Sequence, residues 1–203
     1  MSSIRPWILA ARPKTLFATL APIIVGISLS YKISNTIDWC LTSLIILSAV
    51  LLQIGSNYAN DAYDYLKGAD SQSRKGPKRM VQDGVLSANT VLNVMYIIFS
   101  LSVLIGYFLV KIGGWPIIVI GLSSIIFAII YTGGPYPLAY NGLGEITVFI
   151  FFGIIATVGT VYLQIVNSGF YFNLFNLEIF VAASSVGLLN TAILVVNNLR
   201  DIE

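Results

Sequence analysis

Trp39-Cys-Leu-Thr-Ser-Leu-Ile-Ile-Leu-Ser-Ala-Val-Leu-Leu-Gln-Ile-Gly-Ser-Asn-Tyr-Ala-Asn60 runs for twenty-two residues without a charge and stops at Asp61. A helix needs about 20 mostly apolar residues to cross the hydrocarbon of a bilayer, so this stretch reads as a spanning helix. On either side of it, further charge-free windows cover 15–31, 84–110, 112–144, 146–177 and 179–199, and the six together hold three quarters of the 203 residues. Each supplies one span, the longest two keeping residues for a loop. The spacing predicts spans near 16–31, 39–57, 89–110, 115–132, 145–165 and 177–197. The first is short and carries Pro22, but no small-residue cleavage pattern follows it, so it reads as a retained helix rather than a signal peptide. The fold class expected is all-α, a polytopic transmembrane helix bundle forming one membrane-embedded domain over 1–203.

Composition agrees. The chain is 57% hydrophobic and 10% charged, with a mean hydropathy of +0.85. A water-soluble domain carries roughly a quarter of its residues charged, and this chain lacks the polar surface to cover a core in water. There is no His and one Cys, Cys40, which excludes the usual general base, most transition-metal sites and an intrachain disulfide. Any chemistry must use carboxylates, amides, hydroxyls, Lys and Arg. A net charge of +2 is too small to argue for nucleic acid.

Six spans alternate in direction, which sorts the basic residues by side. Arg5, Arg12, Lys14, Lys67, Arg74, Lys75, Lys78, Arg79 and Arg200 fall on one side, and only Lys32 and Lys111 on the other. The positive-inside rule then places the N-terminus, the loops 58–88 and 133–144 and the C-terminus in the cytoplasm, with the plasma or inner membrane as the default location.

Acidic residues are scarce, and three of the nine sit in Asn57-Tyr-Ala-Asn-Asp61-Ala-Tyr-Asp64-Tyr-Leu-Lys-Gly-Ala-Asp70. If the second span continues as a helix through this segment, Asn57, Asp61 and Asp64 occupy i, i+4 and i+7, within an arc of about 60° on one face. Two carboxylates one turn apart repel when partly desolvated and need a cation to offset them. Hard oxygens of this kind suit Mg²⁺, which takes one or two carboxylates together with waters and substrate phosphates. A polar helix end emerging into water would look similar. The sixth span, however, ends in Asn197-Asn-Leu-Arg-Asp201, repeating the spacing of Asn57 and Asp61 on the same side of the membrane. Two such sites could clamp one diphosphate through two metals.

The basic run Arg74-Lys75-Gly-Pro-Lys78-Arg79 follows the first cluster in the same loop. It satisfies the positive-inside rule by itself, and it could also neutralise phosphate oxygens, with Lys78 and Arg79 the better placed behind Pro77. The segment from Tyr131 to Glu145 carries four Gly, two Pro and three Tyr, so it forms a shaped loop rather than a helix. Tyr131, Tyr136 and Tyr140 read either as interfacial anchors or as rings that steady a carbocation. No phosphate-loop, dinucleotide or nucleophile-elbow pattern competes.

These segments resemble the UbiA-type intramembrane prenyltransferases, and more narrowly their 1,4-dihydroxy-2-naphthoate branch in menaquinone or phylloquinone synthesis. The resemblance runs through Ala11-Arg-Pro-Lys-Thr-Leu16, Asn57 to Asp70, Tyr131-Thr-Gly-Gly-Pro135 with Gly142-Leu-Gly-Glu145, and Asn197-Asn-Leu-Arg-Asp201. It implies a Mg²⁺-diphosphate site facing the cytoplasm and a groove for the isoprenoid tail. Asp61, Asp64 and Asp201 would then be catalytic metal ligands assisted by Asn57 and Asn197, with Lys78, Arg79 and Arg74 on the diphosphate. Where the family pattern has a further Asp, this chain has Gly68, with Asp70 two residues on. The family bundle has about nine spans, so the resemblance also implies that the chain stops, at Glu203, within the second acidic motif. The expected partners are a polyprenyl or phytyl diphosphate, an aromatic acceptor and the lipid bilayer. The expected reaction is prenyl transfer to 1,4-dihydroxy-2-naphthoate with loss of CO₂. Alternatives are 4-hydroxybenzoate or homogentisate as acceptor, or a membrane transporter or non-catalytic subunit; a transporter would place its charges at mid-membrane, whereas here they lie at helix ends.

Overall fold

The computed structural model of the chain describes residues 4–68, 79–173 and 176–202, with residues 201 and 202 described by backbone alone. Every regular element among them is helical. A short helix α1, Arg5–Ala11, is broken from α2, Pro13–Ser34, at Arg12, whose φ of 51° is left-handed. The break follows from Pro13: a residue before proline is pushed out of the right-handed helical region, while proline at a first helical position forfeits no hydrogen bond. The next helix, α3, spans Trp39–Leu66 and starts at Asp38, whose carboxylate accepts the Leu41 N–H at 2.9 Å. Its 28 residues extend about 42 Å, longer than the hydrocarbon, so its last turns carry the acidic motif beyond the apolar stretch.

Ser87 caps α4, Ala88–Gly113, and α5, Trp115–Ile130, follows directly after Gly114. The later helices are α6, Gly144–Asn167, and α7, Leu177–Ile202. Inside α6, Ile150–Ile155 widens to a π-helix. Among the described residues five helices are long and apolar enough to cross a membrane, and α5 is a shorter apolar sixth. That helix stops two residues before the expected 132, because Tyr131-Thr-Gly-Gly-Pro135 ends it, and its 16 residues give about 24 Å. The expected windows otherwise coincide with observed helices, which begin or end up to nine residues outside them.

Helix α3 packs most extensively on α4, with Phe99 lying so close over Gly55 that a Cβ there would sit 2.4 Å from the ring. Buried Tyr58, Ala59, Ala62, Val91, Met95 and Phe99 make this core. Helix α2 meets α6 where Gly26 faces Thr160, and α6 meets α7 where Gly153 faces Gly187, a Cβ on Gly153 falling 2.5 Å from the Gly187 Cα. Lipid supplies no hydrophobic force between helices, so close small-residue contacts of this kind hold them together. At the end of the bundle away from the acidic motif, Gln164 donates to the Asp38 carbonyl and the Thr42 hydroxyl and accepts from the Asp38 N–H. Between α2, α3, α4, α5, α6 and α7 lies a cavity of about 610 Å³ with a mainly apolar wall.

Candidate functional site

Asn57, Asp61 and Asp64 share the inward face of α3 as the helical spacing predicts, only 3%, 1% and 5% exposed. One cation beside these buried carboxylates comes from the chain itself. Arg79, itself buried, donates from Nη2 to Asp64 Oδ2. Tyr140 donates its hydroxyl to the other oxygen, Asp64 Oδ1, and the Met80 N–H reaches Asp61 Oδ2 at 3.3 Å. Met80 and Val81 anchor this return of the chain by burying themselves in the α3–α4 core. Arg79 thus sits on the acidic face itself. Lys78, Arg74, Lys75 and Asp70 lie outside the described residues, as does the side chain of Asp201, whose backbone is in the last turn of α7.

Asn57 is placed as a strut. Its amide donates to the Ala11 carbonyl at 2.8 Å and to Thr15 Oγ1 at 3.0 Å, and its oxygen accepts from Gln53 Nε2 at 3.3 Å. These bonds tie α3 to the hinge between α1 and α2. One turn on, Asn60 accepts from the Thr132 hydroxyl at 3.0 Å, fixing the loop after α5 to α3. Asn57, Asn60 and, across the bundle on α7, Asn197 all line this cavity, so the asparagines of the two Asn-x-x-x-Asp copies reach a common space.

The three tyrosines separate. Tyr131 is on the cavity wall, and burial, then the Glu145 and Asp64 carboxylates, push its hydroxyl up to about 12, so it stays protonated. Tyr140 is turned onto Asp64, with Lys67 Nζ 6.0 Å from its ring centroid. Tyr136 is 60% exposed and is not brought to the cavity. Glu145 receives the Asn198 amide at 3.3 Å, which docks the end of α7 on the start of α6.

Among the described residues no three of His, Cys, Asp and Glu converge. The donors that are described fit a hard cation: two buried carboxylates one turn apart, beside amides on a shared cavity, are the oxygen chemistry that Mg²⁺ accepts while keeping places for water and phosphate. Gln53, Thr15, Asn60 and Thr132 escaped the reading of the sequence. For Gln53 the signal is polarity inside an otherwise apolar span, which in a membrane protein marks a buried network or a site; Thr15, Asn60 and Thr132 lie near helix ends or in the loop after α5.

The UbiA prenyltransferase family pattern matches residues 19–203. The chain is 36% identical over 204 residues to 1,4-dihydroxy-2-naphthoate octaprenyltransferase of Mycobacterium leprae, covering all of this chain and 66% of the relative. It is 38% identical over 209 residues to the Escherichia coli protein of the same name, covering 100% and 65%. To UbiA prenyltransferase domain-containing protein 1 of Dictyostelium discoideum it is 29% identical, over 100% of this chain and 61% of that one. The chain therefore spans just under two thirds of the length of these curated relatives. No solved structure matches it significantly.

Proposed function

The chain belongs to the UbiA prenyltransferase family, and from that premise we propose that it takes part in transfer of a prenyl chain from a polyprenyl or phytyl diphosphate to 1,4-dihydroxy-2-naphthoate. The observation that carries this reading is that Asn57 and Asn197, each four residues before an Asp, line one mainly apolar space of about 610 Å³. An isoprenoid tail needs such a space, and its diphosphate needs acidic motifs of this kind.

Asp61 and Asp64, with Asn197 and Asp201 across the cavity, would hold Mg²⁺, which when bound draws charge onto the diphosphate leaving group. Arg79, Lys78 and Arg74 neutralise phosphate oxygens, Arg79 by exchanging Asp64 for phosphate. Asn57 keeps α3 in register with α2 and so fixes the height of the acidic face. Loss of diphosphate leaves an allylic cation, which the apolar wall shields from water and which the face of Tyr131 can steady. The ring carbon bearing the carboxylate attacks it. CO₂ then leaves, and its bonding pair restores the aromatic ring, so no general base is needed. The acidic end faces the cytoplasm by the charge bias of the loops.

The test is Mg²⁺-dependent prenyl transfer in membranes carrying the full-length protein, with Asp61→Asn and Asp64→Asn beside the wild type. Transfer by the wild type that falls at least about a hundredfold in each variant supports the reading. Undiminished transfer in both variants, or no transfer to this acceptor, overturns it.

A further inference from the structure

In the transmembrane helices of this chain many serine and threonine hydroxyls donate to the carbonyl four residues back, though Ser48 and Ser102 on the cavity wall pair with each other instead. On α2 Ser28, Ser30 and Ser34 donate back in this way, and elsewhere Thr42, Ser43, Ser100, Ser124, Thr147, Thr160, Ser185 and Thr191 do the same. Thr19 does neither. It lies on the cavity wall, 6% exposed, with its hydroxyl buried and without a partner among the described residues. On α7, against the neighbouring residue Ala18, lies Asn190, also 6% exposed and also on the wall. Its amide nitrogen is committed on both sides, to the Ala18 carbonyl at 3.3 Å and to the Phe152 carbonyl, in the π-helical segment of α6, at 3.1 Å. Those two bonds fix the amide's orientation and leave its oxygen, which has no hydrogen-bond donor among the described residues, beside the cavity.

Both groups lie deeper than the acidic face. Thr19 is one turn, about 6 Å, beyond Thr15, which touches Asn57; Asn190 is two turns, about 10 Å, before Asn197. An isoprenoid tail has no donor or acceptor and would leave the buried Thr19 hydroxyl and the Asn190 oxygen unpartnered, which is costly. A phenolic ring hydroxyl answers both, donating to Asn190 Oδ1 and accepting from the Thr19 hydroxyl. Thr157, whose hydroxyl is likewise without a partner, is not on the wall and has no such role.

We propose that Thr19 and Asn190 form the seat for a ring hydroxyl of the aromatic acceptor, positioning the ring below the diphosphate and discriminating hydroxylated rings from plain ones. The proposal rests on the prenyltransferase reading and names the part of the cavity that the acceptor occupies.

The test measures equilibrium binding to the full-length protein in lipid nanodiscs under reducing conditions. The probes are 1,4-dihydroxy-2-naphthoate, its 1-hydroxy and 4-hydroxy counterparts, and hydroxyl-free 2-naphthoate. Thr19→Val, which is isosteric, and Asn190→Leu are compared with wild type. The wild type prefers at least one hydroxylated ring over 2-naphthoate by roughly fivefold, the size of one neutral hydrogen bond, and both variants lose most of that preference. A merely structural role would weaken all rings alike and leave the ratio in place. Mg²⁺-dependent binding of farnesyl thiodiphosphate in the same preparations separates the two readings. If it binds and the ratio is unchanged in both variants, the seat alone is overturned. If it does not bind, the donor reading fails, while a ratio that still collapses keeps the seat. A wild type without any preference for hydroxylated rings overturns the proposal outright.

Discussion

Arg79 and Asp64 meet with side chains only 6% and 7% exposed, and at that depth the energetics are asymmetric. Removing one partner leaves the other charge uncompensated, whereas removing both can be nearly neutral. Arg79→Met is therefore expected to destabilise the protein by about 3 kcal/mol, and the double variant Arg79→Met, Asp64→Leu to cost clearly less than the sum of the single changes. Thermal unfolding in detergent of the four proteins in this cycle checks it; strict additivity would show that the pair is not coupled. Tyr140→Phe removes one hydroxyl donor from the buried Asp64 carboxylate, so it is expected to cost about 1–2 kcal/mol, a few degrees in the unfolding midpoint, and to lower prenyl transfer. At this scale the sequence was partly legible. The i, i+4, i+7 spacing put Asn57, Asp61 and Asp64 on one face and called for a cation, but that Arg79 is a cation on Asp64 depends on a loop return anchored by Met80 and Val81, which no local pattern encodes. The commitment of Asn57 to Ala11, Thr15 and Gln53 was hidden for the same reason.

The starts of α4 and α5 were legible to within a residue, at the expected 89 and 115 beside Ser87 and Gly114. The hinge at Arg12 was not read, although Pro13 marks it, and the π-helix at Ile150–Ile155 was not readable, since the segment Ile-Phe-Phe-Gly-Ile-Ile has the composition of any apolar turn. What sustains the π segment is tertiary: Asn190 takes up the Phe152 carbonyl, and the Gly153–Gly187 contact brings α7 close enough to do so. Gly153→Val is accordingly expected to cost at least about 2 kcal/mol, because the added atoms meet backbone rather than a movable side chain. At the opposite end, the Leu41 N–H, and then the Asn167 amide, hold the Asp38 carboxyl below the usual carboxylate range. A lowered carboxyl contributes stability above its unfolded-state value and loses it as pH falls through the folded one. Asp38→Ala should cost about 1 kcal/mol at neutral pH, as for other lost helix caps. That difference from wild type should vanish in acid, below the range where free carboxylates titrate, as unfolding midpoints across pH would show.

For the whole bundle, the spans and their loops were readable from charge-free windows, but the cavity was not, since it is the space six helices fail to fill. Its wall includes Gly106 on α4 and Gly121 on α5, and at both an added Cβ would have no atom within 4 Å. These glycines therefore leave room in the cavity rather than permitting helix contact, unlike Gly26, Gly55 or Gly153. Replacing a helical glycine by leucine favours the helix by up to about 1 kcal/mol, so Gly106→Leu should fold at least as well as the wild type. Its side chain would enter the space that the proposed function assigns to the isoprenoid tail. Donors are then expected to separate by length: farnesyl diphosphate keeps its KM within about twofold, while a long polyprenyl diphosphate loses at least tenfold in kcat/KM. Steady-state transfer with a series of donor lengths, read beside the unfolding midpoint, decides the point. A uniform loss for every donor at unchanged stability would mean that Gly106 borders the reacting end and that the tail runs elsewhere, out between the helices into lipid.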